Sequence, residues 1–215
     1  MNIMNKKRVF VIACFFVAVL FLLHEIFLNF YNNLSFARVI LKFLMSFIPF
    51  GLAFLGWKSD KNKVNFFIML GLFVCCIADA VINIVLIVGG ILYLAGHLLF
   101  MRAFLSIKKP VLIQYLCWAF FAILVSVFLY FVHDADPKLK IFAVIYTLFM
   151  TAMVSFSFCA TKRLFIGGVI FGLSDVLLMI NMATGASDGV AHIFSLGIYY
   201  VGVLLMANEI YVAEK

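Results

Sequence analysis

Eight apolar runs, each close to 20 residues long, dominate this chain of 215 residues. An α-helix needs about 20 apolar residues to cross the core of a bilayer. The runs are continuously apolar and do not alternate with polar residues, which excludes the strands of a membrane barrel. We therefore predict an all-α integral membrane bundle, a single polytopic domain over residues 1–215. Its eight transmembrane helices are predicted near residues 9–29, 37–56, 64–88, 90–107, 111–132, 139–160, 164–183 and 192–212.

The composition supports this class of fold. Hydrophobic residues make up 67% of the chain and charged residues only 12%, so a soluble domain of this size could not cover its apolar surface. The five cysteines form no CxxC pair and have no metal-ligand spacing, which favours packing inside helices.

Lysine and arginine predict the orientation of the helices. If the N-terminus is cytoplasmic, only Arg38, Lys42, Lys138 and Lys140 fall at outer helix ends. The cytoplasmic ends then carry Lys6, Lys7, Arg8, Lys58, Lys61, Lys63, Arg102, Lys108, Lys109, Lys162, Arg163 and Lys215. This positive-inside asymmetry predicts that both termini are cytoplasmic, with a bacterial inner membrane as the expected location. It also accounts for the net charge of +7 without a nucleic-acid partner.

Two aspartates interrupt these apolar runs in matching surroundings. Asp79 lies in GLFVCCIADAVIN and Asp175 in GGVIFGLSDVLLMIN. A charge at the centre of a bilayer costs at least ~2.5–3.5 kcal/mol, so a carboxyl group inside a membrane indicates a functional site. Each aspartate-bearing helix is followed by a helix with a histidine near its start, His97 or His192. This weak internal repeat predicts two four-helix halves in parallel orientation.

Further polar residues are predicted at a depth similar to that of the aspartates. A rise of ~1.5 Å per residue places them together in the outer half of the bilayer. Asn83 follows Asp79 by one turn and shares its helix face, as Tyr93 does with His97. The predicted site contains Asp79 and Asp175 with Lys42, Asn83, His97, Tyr199 and Tyr200.

Four segments resemble the signature segments of the YhhN-type lysoplasmalogenase family. They are GLFVCCIADAVINIV, AGHLLFMRAF, GGVIFGLSDVLLMI and IYYVGVLLMA, from the third, fourth, seventh and eighth predicted helices. Asp79 and Asp175 occupy the positions of the family's paired aspartates, and Lys42 resembles its lysine in helix two. The chain departs from the family pattern at three positions, with Ala78 for glycine, Phe43 for proline and Val203 for glutamine.

This resemblance implies an eight-helix membrane hydrolase. Such enzymes cleave the vinyl-ether bond of lysoplasmalogens, releasing a fatty aldehyde and glycerophosphoethanolamine or glycerophosphocholine. It therefore implies a lysophospholipid substrate among membrane lipids, with Asp79 and Asp175 as the catalytic pair. Valine at position 203, in place of the family's glutamine, removes a polar group near the site. This departure bears on the identity of the substrate more than on the fold.

The chemistry of a vinyl ether suits two buried carboxyl groups. Protonation of its β-carbon gives an oxocarbenium ion that water then traps. The reaction needs one protonated acid and one carboxylate to stabilise the cation or activate water. Burial and mutual repulsion favour the neutral form of one carboxyl group. Lys42 would favour the ionised form of the other, or attract the phosphate of the headgroup.

Other functions remain open at this stage. A small proton-coupled transporter with duplicated halves would also place carboxyl groups at midplane. A family member that only binds lipid is a third possibility. The aspartates could be structural hydrogen-bonding groups, and His97 could simply bond to Tyr93. No serine-nucleophile, zinc-protease or phosphate-loop motif is present, so no cofactor and no metal are predicted. A zinc site built from both aspartates, His97 and His192 is the alternative.

Overall fold

Every secondary-structure element in the described part of the chain is helical. The computed structural model describes residues 3–30, 35–132, 137–184 and 190–212. Within these ranges lie α1 (Ile3–Phe30), α2 (Ser35–Ser59), α3 (Lys63–Val81), α4 (Leu86–Ile107), α5 (Leu112–Val132), α6 (Pro137–Phe156), α7 (Lys162–Thr184) and α8 (Val190–Val212). A short 3₁₀ turn, Ser157–Cys159, follows α6. The described residues leave out 31–34, 133–136 and 185–189, which fall within three of the predicted joints, and the C-terminal Lys215.

The helices have the length and composition of membrane spans. Seven of them are long and apolar enough to cross a bilayer, and within the described residues the apolar stretch of α5 is the shorter segment Leu112–Phe128. Large apolar side chains cover the outside of the bundle, including Phe36, Leu112 and Phe131, which are 72–80% exposed. An apolar surface of this extent is typical of a protein that faces lipid. The predicted helical membrane bundle is confirmed.

The predicted boundary between the third and fourth helices was wrong. α3 ends at Val81 and α4 begins at Leu86, whereas the joint was expected at Val88–Gly90. Both glycines are helical and serve close packing. A Cβ atom on Gly89 would lie 2.4 Å from the Cα of Ile82, and one on Gly90 would lie 2.6 Å from the Phe142 ring. Glycine is used here because the Ile82 backbone approaches Gly89 and the Phe142 ring approaches Gly90, not because the chain must turn.

Six helices form a ring around the polar centre of the molecule. Going round it, α2 packs against α3, α3 against α4, α4 against α6, α6 against α7, α7 against α8, and α8 against α2. The pairs α3–α4 and α7–α8 share the most extensive contacts. α1 lies outside the ring against α2 and α8, while α5 lies outside against α6 and α7. The predicted parallel repeat of two halves stays a prediction.

Small residues let the ring helices approach closely. A Cβ atom on Gly202 of α8 would lie 2.9 Å from the backbone nitrogen of Phe171 on α7. A Cβ atom on Gly96 of α4 would lie 2.7 Å from the Cys75 sulfur on α3. Membrane helices associate through such packing because lipid supplies no hydrophobic driving force between them. Close contact of these pairs brings the polar side chains of α3, α4, α7 and α8 within hydrogen-bonding reach.

Candidate active site

A cavity of about 250 Å³ lies inside the ring, towards one end of the bundle. At this end α3 and α7 finish and α4 and α8 begin. Its polar lining side chains are Lys42, Asp79, Asn83, Tyr93, Ser174, Asp175, Asn181, His192, Ser195 and Tyr199. Its apolar lining consists of Ile82, Leu86, Leu178 and Leu196. The site therefore joins two carboxyl groups to an apolar wall and to polar groups from the helix ends.

Asp79, on α3, accepts hydrogen bonds from three hydroxyl groups. Ser46 of α2 and Tyr199 of α8 both donate to Oδ2, the latter at 2.9 Å, and Tyr93 of α4 donates to Oδ1. The residue is only 2% exposed. Three hydroxyl donors supply the partners that a buried carboxylate requires. Four different helices therefore fix the position of this one side chain.

Asp175, on α7, has a different set of partners. Nε2 of His97 lies 2.9 Å from Oδ2, and the hydroxyl of Tyr146 donates to the same oxygen at 3.0 Å. Nε2 also lies 3.0 Å from the Tyr146 hydroxyl, so the three groups form a closed triangle. Asp175 is 4% exposed. The two aspartates thus line one cavity but have different chemical surroundings.

A central aromatic ring connects the two aspartate environments. Phe171, which is fully buried, packs against the ring of His97 at 5.1 Å between centroids and against Tyr199 at 5.4 Å. Tyr93 meets Tyr199 edge to face at 6.0 Å. Because these aromatic side chains pack against one another, the side chains that contact the two aspartates have little freedom to rotate.

Lys42 lies beside the Asp79 end of the cavity. It is 8% exposed, and its Nζ donates to Oδ1 of Asn83 at 3.2 Å. Nδ2 of Asn83 in turn donates to the backbone oxygen of Asp79 at 2.7 Å, a carbonyl at the end of α3. Tyr200 lies behind this group, with its hydroxyl 3.5 Å from the backbone oxygen of Lys42. A buried lysine therefore lines the cavity, with its Nζ oriented by the neutral side chain of Asn83.

The structure brings most of the predicted site residues together. Both aspartates, Lys42, Asn83 and Tyr199 line the cavity. His97 and Tyr200 are not among its lining residues. His97 contacts Asp175, and the Tyr200 hydroxyl lies near the backbone oxygen of Lys42. The alternative prediction, a hydrogen bond between His97 and Tyr93, was wrong, because His97 contacts Asp175 and Tyr146 instead.

Several cavity or partner residues were missed from the sequence. Ser46 follows Lys42 by one helical turn, so helical spacing could have identified it. Tyr93 was placed on the helix face of His97 but was not included among the predicted site residues. Ser174 adjoins Asp175. Tyr146 carried no such signal, since only tertiary packing of α6 against α4 and α7 brings it to Asp175. Asn181, His192 and Ser195 were also missed as lining residues.

The zinc alternative does not fit the donor arrangement. Across the described ranges, no three histidine, cysteine, aspartate or glutamate side chains lie close enough to hold a metal ion. His97 belongs to the Asp175 triangle, whereas His192 lines the cavity near the beginning of α8.

The three departures from the family pattern do not alter the described cavity lining. Phe43 is 37% exposed and stacks on Phe47 at 5.8 Å on the outside of the bundle. Ala78 and Val203 are buried in the hydrophobic core and are not among the lining residues. None of the three positions therefore contributes a side chain to the described cavity lining.

Comparison with known proteins gives one assignment. No curated protein and no solved structure matches the chain. A family model, that of the YhhN family, matches residues 37–210 and thus includes every side chain of the site described above. The chain belongs to the YhhN family.

Proposed function

We propose that this protein is a membrane hydrolase that cleaves the vinyl-ether bond of lysoplasmalogens. Membership of the YhhN family supports a lysoplasmalogenase-like membrane protein. The observation that carries the proposal is that Asp79 and Asp175, from two separate helices, line the same cavity. A vinyl ether needs both a proton donor and a carboxylate, and the cavity offers two carboxyl groups with different partners.

The reaction uses the two carboxyl groups as an acid and a stabilising base. The acid transfers a proton to the β-carbon of the vinyl ether, and the electron pair of the double bond forms the new C–H bond. The positive charge is then shared between the α-carbon and the ether oxygen, where a carboxylate stabilises it, as in glycosidases. Water adds to the α-carbon and loses a proton, giving a hemiacetal. The hemiacetal hydroxyl then loses its proton and forms the carbonyl as the bond to the glycerol oxygen breaks. That oxygen gains a proton, so a fatty aldehyde and the glycerophospho-headgroup alcohol are released.

The cavity lining offers suitable groups for the two ends of a lysophospholipid. Ile82, Leu86, Leu178 and Leu196 form an apolar wall suited to the alkenyl chain. The cation of Lys42 at the polar end suits the phosphate of the headgroup. Relative to water, burial of the chain contributes about 0.8 kcal/mol per methylene. Glycerophosphodiesters without a chain are therefore expected to bind poorly.

We further propose that substrate reaches the cavity from the outer side of a bacterial inner membrane. The asymmetry of lysine and arginine predicts cytoplasmic termini, which places the α3–α4 turn on the outer side. Asn83 in that turn and Lys42 both line the cavity, whereas Arg102 and Lys108, near the opposite end of α4, are not among its described lining residues. The headgroup would then stay near water while the vinyl ether reaches the aspartates.

Aldehyde release by the purified protein tests this function. The protein in detergent is given a lysoplasmalogen and, in parallel, the matched ester lysolipid of equal chain length. We expect aldehyde only from the vinyl ether, with no fatty acid from the ester. Proton-coupled solute flux in proteoliposomes without aldehyde release would favour a transporter. Binding of lysolipid with neither activity would indicate a lipid-binding protein.

A further inference from the structure

The hydrogen bonds around Asp175 determine where a proton on this side chain can reside. Both of its partners, Nε2 of His97 at 2.9 Å and the Tyr146 hydroxyl at 3.0 Å, meet Oδ2. Oδ1 accepts no hydrogen bond from the described residues. The two oxygens of this cavity residue therefore differ, because described side chains hold Oδ2 and none of them bonds to Oδ1.

The second nitrogen of His97 indicates which tautomer is present. Nδ1 is buried and has no hydrogen-bond partner within the described ranges. A proton on Nδ1 would be a buried donor without an acceptor, which costs about 1–3 kcal/mol. A proton on Nε2 is instead donated to Oδ2 of Asp175. The neutral Nε2–H tautomer therefore satisfies every donor in the triangle, since Tyr146 donates to the same oxygen.

This arrangement leaves only Oδ1 for the acid proton. Oδ2 already accepts one N–H and one O–H, so a proton on it would face two other donors. Asp79 has the opposite arrangement, because both of its oxygens accept hydroxyl donors, from Tyr93, Ser46 and Tyr199. Asp79 thus has hydrogen-bond donors on both oxygens, whereas the described donors to Asp175 all meet one oxygen.

We infer that Asp175 is the proton donor, that Asp79 remains the carboxylate, and that His97 and Tyr146 are positioning residues that direct the acid proton to Oδ1. The catalytic part of this assignment rests on the proposed function. The Oδ1–H bond of Asp175 breaks as the β-carbon gains its proton, and Asp79 faces the cation. The attacking water returns a proton to Oδ1, which restores the acid.

Infrared spectroscopy tests the protonation states without substrate. At neutral pH, the C=O stretch of a protonated carboxyl group should disappear in Asp175→Asn and persist in Asp79→Asn. Tyr146→Phe removes a donor to the C=Oδ2 group and should move this band to higher frequency. Tyr199→Phe is the matched control, because its hydroxyl bonds to Asp79, and should leave the band in place. A band that persists in Asp175→Asn, or does not move in Tyr146→Phe, overturns the inference.

Kinetics test the positioning role of His97. His97→Gln keeps an N–H that can reach Oδ2, whereas His97→Leu removes it. We expect kcat to fall at least tenfold more in the leucine variant, with KM nearly unchanged, because the lost interaction acts on the acid in the transition state. Equal losses in both variants with a raised KM would show a merely structural histidine and overturn this role. If wild type releases no aldehyde, the proposed function fails, while the infrared result still decides the protonation states.

Discussion

The hydroxyl of Tyr199 donates a hydrogen bond of 2.9 Å to Asp79, a residue 120 positions earlier in the chain. In the other direction, His97 from the first half of the chain contacts Asp175 from the second half at 2.9 Å. Each aspartate is therefore held by a side chain from the opposite half. The site forms only when the ring of helices closes, which couples correct folding to the geometry of the carboxyl pair.

Removal of either carboxylic acid should nearly abolish turnover. Asp79→Asn and Asp175→Asn keep the size of the side chain but remove the stabilising carboxylate or the proton donor. We expect each variant to lose at least about 100-fold in kcat, the scale of general acid–base catalysis. The measurement is aldehyde release, together with lysolipid binding, which should persist.

The double variant and a distant variant complete that experiment. Because the two groups act as a unit, Asp79→Asn/Asp175→Asn should be little slower than either single variant. Asp60→Asn, in the connection between α2 and α3, changes the same type of side chain away from the cavity and should leave kcat unchanged. Full activity in both single variants would place catalysis elsewhere.

Loss of the cation at Lys42 should weaken substrate binding. Lys42→Met keeps the length of the side chain but removes its charge from the edge of the cavity. A hydrogen bond to a charged group contributes about 1.5–3 kcal/mol, so KM should rise about tenfold or more with a smaller effect on kcat. Lys58→Met, at an exposed lysine in the last turn of α2, is the control. Unchanged KM would remove Lys42 from headgroup recognition.

The close approach of Gly89 to the α3–α4 turn should be essential for stability. Gly89→Ala puts a Cβ atom 2.4 Å from the Cα of Ile82, a backbone atom that cannot easily move. Overpacking of this kind costs about 1–3 kcal/mol, so thermal unfolding in detergent should occur at lower temperature. Gly51→Ala is matched in chemistry but meets nothing within 4 Å, and should be tolerated. Equal melting temperatures for the two variants would contradict the packing described here.

Cysteine labelling should show which side of the membrane the cavity faces. Ile84→Cys lies in the α3–α4 turn, and Lys108→Cys lies just after α4, at its other end. A membrane-impermeant maleimide added to intact cells should label the first variant, and the second only after permeabilisation. The unmodified protein, with its five native cysteines, gives the background. The reverse labelling pattern would place the cavity on the cytoplasmic side.

The sequence alone determined the class of fold and the central residues of the site. Continuous apolar runs near the thickness of a bilayer permit only spanning helices, because backbone groups must be satisfied within each segment. Asp79, Asp175 and Lys42 were identifiable because charged groups are costly at that depth and so are rare. The length of an apolar run and a charged residue within it are both local features, so both can be identified from one amino-acid sequence.

The tertiary structure decided how these residues are used. Helix spacing on α4 placed Tyr93 and His97 on one face, yet Tyr93 contacts Asp79 while His97 contacts Asp175. Tyr146 carried no signal in the sequence but completes the Asp175 triangle. Gly89 and Gly90 favoured a joint in the sequence but are helical, since their close contacts are with Ile82 and with Phe142 of another helix. The physical reason is that hydrogen bonds and close packing between helices depend on which faces meet, and that is decided only when the ring closes.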